Sequence, residues 1–380
     1  MAKRRKIGII YQYNENWIGG TYYIQNLIAA LNRLPQNNLF ELVIFTEDDN
    51  QFLDLKKVTS YPFLTRGTHV IKLPLVHRII NRIYRLFFHK NIFSVFVNDI
   101  ELLFPACDER FFKKDQQFLY WIPDFQENYL PEFFNAAEII LRKNSQAAII
   151  KTGKNIVFSS QSAKKDFNEI YPGNRLTQFV LNFAVTHPQL EDCSLINDKY
   201  KTPERFFICC NQFYKHKNHL IVFKAIAVLK YQGHKICVVF TGKENDNRHP
   251  DFFNEITQMV KGLGIADCVQ LLGFISREDQ LCLMKNALAV IQPSLFEGWS
   301  TVIEDAKAIQ AKVIASNISV HQEQLEGYEL SALFAVSNQY ELAKLMLAVN
   351  DMTAITQGYD KNVTAFAENF KMIADTISII

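Results

Sequence analysis

No stretch of about 18 apolar residues occurs anywhere in the 380-residue chain, so no helix is expected to span a membrane. The N-terminus MAKRRKIGII sets four basic residues before a short apolar run, but the run breaks at YQYNENW. It has neither the length nor the small-residue cleavage site of a signal peptide, and a first β-strand fits it better. The seven cysteines, at 107, 193, 209, 210, 237, 268 and 282, include no C-x-x-C pair, which leaves zinc and thioredoxin-type chemistry unsupported. Their odd number and lack of pattern suit a reducing compartment. Cys209, Cys210 and Cys237, inside the runs FFICC and ICVVF, read as buried hydrophobes. Excess charge is missing as well. A formal net charge of +2 is too small for a general nucleic-acid-binding surface.

What the chain does have is a globular balance, 48% hydrophobic and 21% charged, over a length that suits two domains. Short apolar runs alternate with segments of helical period. The candidate strands are KIGIIYQ, ELVIFTE, HVIKL, QFLYWI and NIVFSS, then RFFICCNQ, KICVVFTG, CVQLLG, ALAVIQP, KVIAS and LSALFAV. Their unbroken apolar character predicts parallel sheets covered on both faces. Between them, His219–Tyr231, Arg277–Asn286 and Thr301–Ile309 have helical patterning. The alternation predicts α/β architecture, two Rossmann-like doubly wound domains. The polar, proline-bearing stretch between about Asn182 and Pro203 predicts the boundary. The expected division is 1–183, a linker at 184–204, a second domain at 205–360, and a helix at 361–380 that crosses back.

The segment PSLFEGWSTVIEDAKA, Pro293–Ala308, carries the strongest chemistry. A buried strand ends, a loop with Glu297 and Gly298 follows, and a helix opens near Ser300 and Thr301. In an open α/β sheet, ligands sit at the carboxyl ends of the strands. A helix start there offers free N–H groups to a diphosphate, and neighbouring carboxylates accept hydrogen bonds from sugar or ribose hydroxyls. This segment resembles the signature of the family 4 (group 1) glycosyltransferases, an E-x7-E pattern on the GT-B fold. Glu297 fills its first position. The second falls on Asp305, with Glu304 one residue early, and Thr301-x-x-Glu304 also reads as a capping box. The ungapped match of DAKAIQAKVIAS to the helix and strand that follow favours Asp305 as the ribose carboxylate, with Glu304 the alternative.

Further positions follow from the same resemblance. In NQFYKHKNHLIVFKAI, Asn211–Ile226, Lys217 matches the lysine that grips the donor diphosphate. A fixed cation there stabilises the charge of the leaving group. Gln212 stands where an arginine is common. In LLGFISREDQLCLMKNA the backbone near Phe274 and Ile275 is expected to hold the base. After the first strand, Gly19 and Gly20 let backbone approach a phosphate or sugar. No G-x-G-x-x-G occurs there, against a nicotinamide site. YWIPDFQENYLPEFF resembles the acceptor-side loop, but Pro123 and Glu127 occupy places where relatives carry histidine. Asp124 and Glu127 are the candidates there for hydroxyl contacts. Ser162 is a candidate cap for the next helix.

The resemblance therefore implies a retaining transferase that takes a nucleoside-diphosphate sugar as donor and a saccharide or lipid-linked acceptor. It implies polysaccharide or glycoconjugate synthesis, no cofactor and no bound metal, and the chain contains no D-x-D. Cytoplasmic placement is expected, with no nucleic-acid partner. A nucleotide-sugar epimerase of the same fold and an inactive nucleotide-sugar binder are the alternatives. One segment is left over. In VHRIINRIYRLFFHK, Val76–Lys90, residues 76, 79, 80, 83, 86 and 87 share one helical face and Arg78, Arg82 and Arg85 the other. Such a helix either packs on a sheet with a solvated back, or rests peripherally on the anionic inner face of a membrane.

Overall fold

The computed structural model describes residues 4–14, 18–46, 48–67, 74–88, 92–93, 99–106, 117–187, 190, 192–246, 248–352 and 358–379. It contains two compact units. The first holds residues 1–124, 141–186 and 360–380, the second 125–140 and 187–359.

The chain begins β1 (Lys6–Ile10), α1 (Ile18–Leu31), β2 (Glu41–Phe45), α2 (Asp49–Thr59), β3 (Leu64–Arg66), α3 (Leu75–Phe88), β4 (Leu102–Ala106) and β5 (Gln117–Ile122). It continues with α4 (Gln126–Tyr129), α5 (Ala136–Thr152), β6 (Asn155–Phe158), α6 (Gln161–Ile170) and β7 (Thr177–Val180). The first sheet has seven strands in the order β3-β2-β1-β4-β5-β6-β7, all parallel. Three strands escaped the sequence reading: β3, β4 and β7. HVIKL lies outside the described residues. Gly19 and Gly20 fall inside the first turn of α1 rather than ahead of it. Ser160, not Ser162, caps α6, accepting from the Ala163 N–H at 3.0 Å. The final helix, α14 (Asp360–Ile379), belongs to this unit. Arg5 ties the first strand to it, donating to Ala374 O at 3.1 Å and bonding Asp375 and Ser378. Tyr23 of α1 stacks on Trp121 at 4.2 Å in the core.

The second unit runs α7 (Ile196–Tyr200), β8 (Phe207–Cys210), α8 (His219–Tyr231), β9 (Val238–Thr241), α9 (Phe252–Gly262), β10 (Val269–Leu271) and α10 (Arg277–Asn286). There follow β11 (Val290–Gln292), α11 (Thr301–Ala308), β12 (Val313–Ser316), α12 (Ser319–Leu325), β13 (Ser331–Phe334) and α13 (Gln339–Leu347), before α14 (Asp360–Ile379). Its six parallel strands lie in the order β10-β9-β8-β11-β12-β13. The run FFICC shows why the pattern is continuous rather than alternating. Phe207 and Cys209 enter the core shared with α8, α9 and α13. Phe206, Ile208 and Cys210 enter the opposite core, with α10 and α11. Each such buried apolar side chain contributes about 1.5–3 kcal/mol.

Burial pushes the Cys209 thiol up to about 12 and Cys210 upward, so neither is reactive. The cysteine reading needs one correction. Cys193 and Cys282 form a disulfide that joins the segment before α7 to α10. The cysteine pattern therefore no longer argues for a reducing compartment. Spacing could not reveal a pair 89 residues apart whose meeting depends on tertiary packing.

Candidate active site

The order of the second sheet reverses direction between β8 and β11, and the loops leaving these two strands flank that switch point. Crevices at such points are where open α/β sheets bind ligands. Lys217 leaves from β8 and Glu297 from β11, and their side chains meet at 2.6 Å. The loops are stitched together. Leu295 N donates to His216 O at 2.8 Å. Asn218, in the left-handed region at φ 55°, donates to Pro293 O and Val336 O, each at 3.1 Å. Asparagine tolerates that conformation better than most side chains, so one residue turns the chain into α8 and clamps two neighbouring loops.

Glu297 Oε1 accepts three hydrogen bonds, from Lys217, from Gln292 Nε2 at 2.8 Å and from Ser294 Oγ at 2.7 Å. Gln292 is held in turn by Asn211 Nδ2 at 3.0 Å. Burial pushes the Glu297 carboxyl upward, but the charge and hydrogen bond of Lys217 overcome this and hold it below the usual carboxylate range. Three histidines lie around the pair. Burial lowers His216 and His219 to about 3 each and His321 to about 4, so all three are neutral at pH 7. His321 Nδ1 lies 2.8 Å from Ser316 O, and its Nε2 is buried without a partner. The arrangement is an anionic carboxylate and a lysine with three neutral histidines around them.

Helix α11 opens beside them. Its cap is Ser300, which accepts from Ile303 N at 3.4 Å, so Thr301 does not head a capping box. Gln324 braces the turn, accepting from Ser300 N at 3.0 Å and donating to Ser300 O at 2.7 Å. Glu304 points away from the cap into a closed set with Lys307 at 3.0 Å, Gln324 at 2.9 Å and the Tyr359 hydroxyl. Asp305 is fully buried and held in a bidentate pair by Arg277, with His187 Nε2 at 3.2 Å. Burial raises its carboxyl, and the charge of Arg277 outweighs that and holds it low.

The other candidates are divided between the two units. Gln212 follows β8, and its carbonyl accepts from Tyr214 N at 2.7 Å. Gly242, at φ 150°, sits so close to this turn that a Cβ would lie 2.1 Å from Asn211 O, so only glycine fits. Phe274 is 70% exposed, while Ile275 packs into the core. Gly298 is buried in the loop before Ser300. Glu127 is buried in α4, within the second unit, and Tyr129 two residues on stacks on Phe296 at 5.2 Å. That contact sets α4 against the loop carrying Glu297. Asp124, Gly19 and Gly20 belong to the first unit. Sequence reasoning missed Arg277, His187, Gln292, Ser294 and Gln324. Arg277 left one signal: it is a cation at the first position of a helix, where the dipole disfavours it unless an acid compensates.

Residues 196–364 match the family described as glycosyl transferases group 1. Solved structures are similar over almost the whole chain. HepE of Anabaena, in complex with UDP and glucose, is 17% identical at a TM-score of 0.65, covering 99% of this chain and 100% of that one. Sucrose-phosphate synthase from Thermosynechococcus elongatus is 15% identical at 0.63, covering 98% and 97%. A glycosyltransferase from Rickettsia africae is 16% identical at 0.63, covering 98% and 94%. The fold is the GT-B fold of these enzymes.

Proposed function

We infer that this chain, whose residues 196–364 match the group 1 glycosyl transferases, transfers a sugar from a nucleoside-diphosphate donor to an acceptor hydroxyl. The observation that carries the reading is the Lys217–Glu297 pair at the switch point, beside the open start of α11. An ammonium has three donors, and Glu297 takes one. The other two serve the donor diphosphate, together with the N–H groups of the α11 start. The second oxygen of Glu297 serves the sugar hydroxyls.

The reaction breaks the bond between the anomeric carbon and the diphosphate oxygen and forms one to the acceptor oxygen. The acceptor proton passes to the departing diphosphate. We propose that attack comes from the face the diphosphate leaves, through an oxocarbenium-like state, which retains configuration. Lys217 and the helix start supply the positive charge that the leaving group requires, so the proposal needs no metal. Glu297 positions the donor in this scheme and is not assigned as a nucleophile. Asp124 and Glu127 are the proposed acceptor-side contacts, and Gly19 and Gly20 the proposed backbone approach.

The structure of HepE with UDP makes UDP-sugars the first donors to test. Thermal-shift screening against UDP-, GDP-, ADP- and dTDP-sugars, with Lys217→Ala alongside, names the base. A ligand that binds only the folded state raises the melting point, and that rise is expected to vanish in the variant. Undiminished nucleotide release by Glu297→Ala with acceptor present would refute the reading.

A lipid-linked acceptor on a membrane surface fits α3. Leu75, Val76, Ile79, Ile83, Leu86, Phe87 and Phe88 are each 50–74% exposed, and only Asn81 of this helix is buried. Its arginines face no acidic residue within the helix. We propose that α3 lies on an anionic bilayer, its apolar side in the headgroup region. Flotation with phosphatidylglycerol vesicles, against phosphatidylcholine alone, tests this. Equal recovery from both, or from neither, excludes it.

A further inference from the structure

The parallel strands of the second sheet have a second end, opposite the loops that carry Lys217 and Glu297. There, the chain leading into β8, the turn before β9 and the short turn before β10 enclose a cavity of about 800 Å³. That size lies within the range of small-molecule sites. Strand β8 separates the two ends by roughly 13 Å, at about 3.3 Å per residue. A ligand here is therefore not the sugar donor.

Lys201, Arg205, His234 and Lys235 line this cavity. Among the described residues none of their side chains makes an ion pair or a hydrogen bond. The one carboxylate of the lining, Asp267, is already paired with Lys230, which also donates to Gly264 O at 2.7 Å. Three cations thus stand without a counterion. The wall behind them is neutral. Burial holds the Cys237 thiol up to about 11 and raises Cys268, so both stay protonated beside Ile236 and Val269. Thr202 supplies the independent observation. It is 9% exposed, it lines the cavity, and its hydroxyl has no partner. A buried hydroxyl left unpaired is destabilising, and a bound acceptor would satisfy it.

We propose that this cavity binds a small molecule bearing a phosphate or diphosphate. Unpaired cations including an arginine, with a hydroxyl donor beside them, match an anion with several oxygens on one centre. Guanidinium groups bind phosphate through two parallel hydrogen bonds. A monocarboxylate would leave most of this charge unanswered. The assignment stands independently of the transferase reading.

Calorimetric titration with inorganic pyrophosphate tests it in the Lys217→Ala background, which silences the donor diphosphate site, with Arg205→Gln/Lys235→Gln, Thr202→Val and Thr202→Ser each added in turn. Pyrophosphate is expected still to bind Lys217→Ala, and to bind it about ten-fold more weakly once Arg205→Gln/Lys235→Gln are added. Thr202→Val should weaken binding, and Thr202→Ser should preserve it. UDP affinity of Arg205→Gln/Lys235→Gln in the otherwise wild-type chain should match wild type, showing that its fold and donor site are intact. Undiminished pyrophosphate binding when Arg205→Gln/Lys235→Gln are added to Lys217→Ala, or no binding by Lys217→Ala at millimolar concentration, overturns the proposal.

Discussion

Glu297 and Asp305 occupy the two acidic positions of one motif, eight residues apart, yet their surroundings are opposite. Glu297 stands at the loop end of β11, keeps some solvent contact, and gathers its hydrogen bonds on one oxygen. Asp305 sits inside α11 with no exposure, and Arg277 and His187 hold it. The first carboxylate has capacity left for a ligand, and the second is committed to the protein. A shared motif thus fixes where two acids stand along the chain, while the partners supplied from elsewhere fix what each can do.

The largest expected effect breaks the Asp305 side. Arg277→Ala leaves a fully buried carboxylate without its main counter-charge, and should cost about 3–5 kcal/mol in urea unfolding. The paired replacement Arg277→Leu/Asp305→Leu should recover most of that loss, because an apolar pair needs no compensation. A loss below about 1 kcal/mol for the single change would show that Asp305 is not locked.

Next, Glu297→Gln should lower kcat/KM about 10²–10³-fold while shifting the melting point little. Asp305→Asn should do the reverse, losing stability before turnover. If both variants lose turnover equally with unchanged stability, the two acids share one role and the contrast fails.

A third effect accumulates over several pH units instead of arising from one substitution: the dependence on pH. His216, His219 and His321 have folded-state values near 3, 3 and 4, below the ordinary 6.5 of the unfolded chain. Between those limits the unfolded state binds more protons, so stability falls as pH drops below about 6.5, by up to about 1.4 kcal/mol per pH unit for each histidine. The lowered carboxyls of Glu297 and Asp305 add their loss only below about pH 4, where the unfolded carboxyls protonate. Urea titrations at several pH values should therefore show the acid limb beginning near 6.5. A flat profile down to about pH 5 contradicts the neutral assignment, and His321→Gln should make the limb shallower. The smallest effect expected is that of Tyr359→Phe, which removes one hydrogen bond from Glu304 and should cost about 1 kcal/mol with no change in KM.

The second unit was legible because its strands are buried on both faces. Runs such as FFICC and ALAVIQ need no partner to be recognised, and the helices at His219–Tyr231 and Arg277–Asn286 appear where their periodicity places them. The first sheet was less legible for local reasons. β3 is three residues at an edge, β7 is an edge strand with a polar start, and β4 carries Pro105, which cannot donate to a ladder. Lys217 and Glu297 could be found from the turns that follow their strands. The lock on Asp305 could not, since Arg277 and His187 approach from 28 and 118 positions away, a distance that only the folded chain closes. The cap at Ser300 was misread by one residue because serine and threonine are adjacent and both cap well.

Arg5 and Ser378 touch, so the chain nearly closes on itself through the first unit. The first unit is thus interrupted twice by the second, briefly by residues 125–140 and then by the long excursion of residues 187–359. Joining the ends with a short linker and opening the backbone at an exposed turn such as Gly233 should give a permuted protein with the same fold. Cutting the gene near 359 would instead remove α14 from the unit built around β1, so the first unit cannot be obtained as a single uninterrupted N-terminal fragment.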